Sequence, residues 1–216
     1  MKKKSLLLII VLSGLMGLVE VFIAKSYMEK ALYKLVIFLV LPLLLNVKYD
    51  YINFERLFTI NKKKLARYFI LGLLVFILIV LGYMVFGSLI EFDQVGLKLE
   101  ENMGVKKKNF LGVALYIALV NSFLEEFIFR GLGYLNLGKD KSWGWEGALI
   151  FALYHMAIMR GWFNPLIFLL ALAGLFLAGL FFNLLDSKSD NLYLSYLVHM
   201  FANLAINYIA YFYILN

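Results

Sequence analysis

The sequence predicts an all-α, polytopic transmembrane helix bundle of about seven spans, within a range of six to eight. Three observations predict it. Of the 216 residues, 63% are hydrophobic and only 16% charged, whereas a soluble domain averages about 45–50% apolar and 25% charged. The mean hydropathy is +0.85. Apolar runs such as Leu6 to Ala24 and Tyr68 to Ile90 reach the roughly 20 residues that a helix needs to cross a bilayer.

In chain order the spans fall at about 5–24, 32–46, 67–90, 109–131, 146–160, 165–185 and 191–213. The first follows MKKKS, a basic start like that of a signal peptide. Its apolar run is too long for such a segment and no A-x-A site follows, so it reads as a retained helix. The second and fifth spans are short, and the fifth reads as tilted or partly inserted. Residues 91–109 are polar enough for a solvated loop with room for a short interfacial helix. Ser142 to Gly147 (SWGWEG) reads as an interfacial tryptophan belt with Glu146 at a helix N-terminus. In Gly161 to Pro165 (GWFNP), Asn164 is placed as N-cap and Pro165 at the first helical position. No repeat or inverted pair of halves is visible, which speaks against a transporter. The whole chain, 1–216, reads as a single integral membrane domain with a motif-bearing core at about 109–213.

The net charge of +7 comes from lysines clustered beside spans, where they set topology and meet anionic lipid rather than nucleic acid. With the N-terminus inside, 13 of the 21 Lys and Arg fall in cytoplasmic segments, led by loop 47–66. The expectation is a multi-pass cell-membrane protein with a cytoplasmic N-terminus. With no cysteine, disulfides, thiolate metal sites and a cysteine nucleophile are excluded.

The stretch NSFLEEFIFRG (Asn121 to Gly131) places three ionisable groups inside the fourth span. Each costs roughly 2.5–3.5 kcal/mol at a helix centre. Glu126 and Arg130 are i and i+4 and can pair, with Arg130 near the expected span end and free to snorkel. Glu125 projects to a different face, beside Asn121 and Ser122, with no cation at i+3 or i+4. It reads as unpaired, and an unpaired intramembrane carboxylate is by default functional. Glu20, near the end of the first span, is expected to reach the interface without a role. Both histidines of the chain, His155 and His199, fall within spans, and Asn203 follows His199 by one turn. Counted from the span ends at 1.5 Å per residue, Glu125, His155 and His199 lie about 9, 13 and 12 Å deep from the same side.

A carboxylate and an imidazole sharing a water form a general-base pair, and His and Asn donors opposite them suit a tetrahedral oxyanion. Zinc held by Glu125, His155 and His199 is the alternative. The absence of H-E-x-x-H favours chemistry without metal, and no G-x-S-x-G elbow supplies a serine. The residues commit to no cofactor, with a divalent metal such as zinc left open.

Three motifs on successive late spans carry a family resemblance. Glu125 to Arg130 (EEFIFR) resembles the E-E-x-x-x-R motif of the CPBP (CAAX protease and bacteriocin-processing, or Abi) intramembrane proteases. Phe151 to His155 (FALYH) resembles their F-x-x-x-H motif, and His199 to Asn203 (HMFAN) their H-x-x-x-N motif. The family's glycine-rich motif is only loosely matched, at Ala173 to Phe182. The resemblance implies a membrane endopeptidase in which Glu125 and His155 activate water, His199 and Asn203 stabilise the oxyanion, and Glu126 and Arg130 support them. Its partners would be the lipid bilayer and a peptide or a lipidated, membrane-associated protein. A non-catalytic immunity or peptide-binding protein on the same fold is the second reading, and an ion or small-molecule transporter the third.

Overall fold

The computed structural model describes residues 2–60, 64–89, 92–136 and 144–214, which are helical with no strand among them. Among the described residues six helices are long and apolar enough to cross a membrane: α1 (Ser5–Ile23), α2 (Tyr27–Tyr49), α4 (Leu65–Phe86), α6 (Phe110–Leu135), α8 (Pro165–Ser189) and α9 (Tyr193–Ile214). Three shorter helices separate them, α3 (Phe54–Phe58), α5 (Phe92–Met103) and α7 (Gly144–Ile158). The polytopic helical bundle expected from composition is therefore present. The expected fifth span is α7, the short one as expected, whose 15 described residues extend about 22 Å. Expected loop 91–109 is largely α5, which ends at Gly104 in the left-handed region, φ 64°.

Helix α6 is the hub. From Leu124 to Leu135 every residue is buried, as befits a helix packed on all sides. Its apolar side chains Leu124, Phe127, Ile128 and Phe129 meet Ile9, Leu12 and Met16 of α1, Phe38 of α2, Leu57 of α3, and Phe151 and Tyr154 of α7. Helices α4 and α9 pair closely: a Cβ on Gly72 would lie 2.4 Å from the Phe201 ring. Helices α7 and α8 do the same at Gly179, where a Cβ would fall 2.9 Å from the Ala148 backbone. Of the two glycines in the loosely matched motif, Gly179 makes this approach, while Gly174 faces open space.

Local chemistry explains the corners. Asn164 caps α8 by accepting from Ile167 N at 3.0 Å, with Pro165 at the first helical position as expected. Asn183 donates to Gly144 O at 2.5 Å and so ties the start of α7 to α8. Buried Asp186 accepts from Ser195 N at 3.3 Å and Ser195 Oγ at 2.9 Å, locking the α8–α9 corner. Ser142 and Trp143 of the expected tryptophan belt lie outside the described residues; Trp145 is exposed on α7.

Three expectations are corrected. Helix α2 begins at Tyr27, not at 32, so Lys30 joins Lys34 within a span instead of lying in an outer loop. Glu20 does not reach the interface: its side chain, 8% exposed, pairs with Lys30 at 2.9 Å. Arg130 does not snorkel, because α6 continues to Leu135 and leaves its side chain inside the bundle.

Candidate active site

Helix α6 changes its winding around the two glutamates. Ser122–Glu126 is a short α-helical stretch between two wider, i→i+5 bonded stretches, Tyr116–Asn121 and Phe127–Leu135. Such turns interrupt the 3.6-residue register and recur at functional sites. Here Glu125 and Glu126 are both buried although they are adjacent and project differently. They lead into two linked polar layers.

In the first layer Glu125 Oε1 accepts from Lys34 Nζ at 2.5 Å and from Asn121 Nδ2 at 3.2 Å. Lys34 Nζ also donates to Asn121 Oδ1 and lies over the Tyr154 and Phe38 rings, 5.0 and 5.5 Å from their centroids. Glu125 is thus not unpaired; its cation comes from a different helix, which spacing along α6 could not reveal. Its other oxygen, Oε2, is buried without a hydrogen-bond partner. That atom faces His155 Nε2 at 3.8 Å and His199 Nε2 at 3.7 Å. These separations are too long for direct hydrogen bonds and suit a bridging water.

Each imidazole is held by its other nitrogen. His155 Nδ1 lies 2.8 Å from the Phe151 carbonyl oxygen, which can only accept, so Nδ1 carries the proton and Nε2 of the neutral ring is an acceptor. His199 Nδ1 lies 2.7 Å from Glu126 Oε1. Glu126 Oε1 also stands 3.3 Å from an Arg130 guanidinium nitrogen, close enough for an ion pair but without hydrogen-bond alignment. The guanidinium lies over Phe151 and Phe182, 4.3 and 4.9 Å from their centroids, and Phe182 also stacks on His199 at 5.2 Å. This second layer, Glu126, Arg130 and His199, orients the ring that faces Glu125.

The structure thus brings together Glu125, His155 and His199, and pairs Glu126 with Arg130. Asn203 stands apart: its amide donates to Ser122 Oγ at 2.8 Å and to Ile117 O at 3.4 Å. Lys34 is the residue that sequence reasoning missed. A signal was present, since expected span 32–46 already contains Lys34, and a span that short for a bilayer must extend toward the N-terminus, which sets Lys34 deeper and brings Lys30 inside as well.

Among the described residues, no three of His, Cys, Asp and Glu stand so as to hold a metal ion. The Lys34 ammonium on Glu125 would also repel a second cation there. As arranged, these donors do not form a zinc cage.

Residues 107–205 match a family model described as Type II CAAX prenyl endopeptidase Rce1-like. That segment is similar to an Rce1-like domain, in keeping with the CPBP resemblance of its three motifs. It spans α6, α7, α8 and most of α9, and holds Glu125, Glu126, Arg130, His155, His199 and Asn203, but not Lys34. The matched model describes an endopeptidase, and the six candidate spans among the described residues make this chain a multi-pass membrane protein. No curated protein and no solved structure shows significant similarity to the chain.

Proposed function

We propose that the protein is an intramembrane endopeptidase that hydrolyses a peptide bond of a membrane-associated or lipidated protein or peptide without a metal. One observation carries the reading: Glu125 Oε2, buried and without a hydrogen-bond partner, faces two imidazole Nε2 atoms at 3.8 and 3.7 Å. A water there donates hydrogen bonds to Glu125 Oε2 and His155 Nε2, both acceptors, and turns a lone pair to the substrate carbonyl. As the oxygen attacks, its proton passes to Glu125. The carbonyl oxygen becomes an oxyanion opposite His199, whose Nε2–H donates to it when the ring carries two protons beside Glu126. Asn203 belongs to the same side, and its amide reaches the oxyanion by exchanging its Ser122 bond for one to substrate. The C–N bond then breaks as Glu125 returns its proton to the leaving amine, so a carboxylic acid and an amine are released and Glu125 is a carboxylate again.

Glu125→Gln protein extracted from membranes tests this. It should retain an uncut peptide that wild-type protein turns over and releases. A peptide kept equally by both forms would show a binding protein on the same fold and end the peptidase reading.

We further infer a cell-membrane location with a cytoplasmic N-terminus. Treating Lys30 and Lys34 as buried removes two charges from the outer side and strengthens the positive-inside bias. In this cysteine-free chain, Lys98→Cys should react with an impermeant thiol reagent in intact cells, and Glu55→Cys only after lysis. The reverse pattern would invert the topology.

A further inference from the structure

Lys34 is 4% exposed and lies on α2, outside the segment that matches the family. A buried cation so placed needs a partner, and its neighbour Lys30, one turn earlier, already has Glu20 at 2.9 Å. Lys34 is committed to the Asn121–Glu125 pair. The consequence is asymmetric: Oε1 receives two hydrogen bonds and Oε2 none. Both oxygens of a free carboxylate accept equally well, and either could turn toward water.

We propose that Lys34 is a positioning residue: its ammonium takes up Oε1 of Glu125 and dedicates Oε2 to the water between His155 and His199. The proposal rests on the reading of Glu125 as the general base. It assigns the first two helices a part in the chemistry, because α2 supplies the charge that the motif-bearing helices lack at this point. Asn121 is the bridge, accepting from Lys34 while donating to the same Oε1.

The titratable and charged groups that face Glu125 are Lys34 on α2, His155 on α7 and His199 on α9, with Tyr154 of α7 under the Lys34 ammonium and Glu126 and Arg130 of α6 behind His199. The histidines titrate between about pH 5 and 8, so the effect of Lys34 is read as a difference between variants in which both are retained. An opposite charge within about 4–6 Å favours the ionised carboxylate by about 1–3 pH units. Without it, Glu125 holds its proton to higher pH and the acid limb of kcat/KM moves upward.

The test is the pH profile of cleavage by purified Lys34→Met and Lys34→Arg proteins, followed with the peptide recovered on Glu125→Gln protein. Lys34→Met should shift the acid limb up by about 1–3 pH units and regain activity toward alkaline pH. Lys34→Arg, which keeps the charge, should leave the limb near its wild-type position. Lys34→Gln, a donor without charge, carries the same expectation as Lys34→Met should that variant fail to fold. A wild-type acid limb in folded Lys34→Met or Lys34→Gln overturns the proposal. If Glu125→Gln protein also cleaves at the wild-type rate, the base assignment itself falls; if it is inactive, only the role of Lys34 does.

Discussion

Purified Glu125→Gln protein should lose about 10²–10⁴-fold in kcat, the usual contribution of a positioned general base. The substitution keeps the size of the side chain but removes the acceptor that takes the water's proton. It also leaves the Lys34 ammonium, 2.5 Å from Oε1, buried without its counter-ion, which by itself costs several kcal/mol of stability. The two effects must be separated. Lys34→Met combined with Glu125→Gln removes both charges together, so it should recover most of the stability and none of the activity. Activity restored along with stability would assign Glu125 to the fold alone.

Arg130→Met should produce the largest loss of stability outside that pair, about 3–5 kcal/mol, read as a lower unfolding temperature in detergent. Arg130 is 1% exposed and Glu126 is fully buried, so removal of the guanidinium leaves a carboxylate with His199 alone. Aromatic packing is lost as well, since the guanidinium lies against Phe151 and Phe182. Glu126→Gln in the Arg130→Met background should cost less than the sum of the two single losses, because the second change relieves the stranded charge. Strictly additive losses would show that the 3.3 Å approach carries no coupling. Activity should fall too, since Glu126 orients His199.

The sequence made the helical bundle and the polar core legible to very different degrees. Composition and apolar runs decide the fold class, because backbone groups in lipid must be satisfied within each span. The pairing of Glu126 with Arg130 was readable because it is local, four residues apart on one helix. The convergence of Glu125, His155 and His199 was readable only as agreement in depth, and the structure draws them within 3.8 Å of one atom. What stayed hidden was long-range. Lys34 lies 91 residues from Glu125, and charged residues near a span end look like loop residues to any hydropathy window. Arg130 was misplaced for a related reason: a span cut at 131 put it at the surface, while α6 continues, buried, through Phe127–Leu135. Asn203 shows the opposite failure, since sharing a face with His199 did not bring its amide to the same centre.

The claim that Glu125 and His155 act on one water is tested most directly by a double-mutant cycle on cleavage, measured in single turnover with enzyme in excess. Groups that work as a unit on one reacting atom show strongly non-additive losses. Glu125→Gln with His155→Ala should therefore be no slower than the more severe of the two single variants, with all three folded. Losses that multiply in the double variant would place the two residues at separate steps and contradict the shared water.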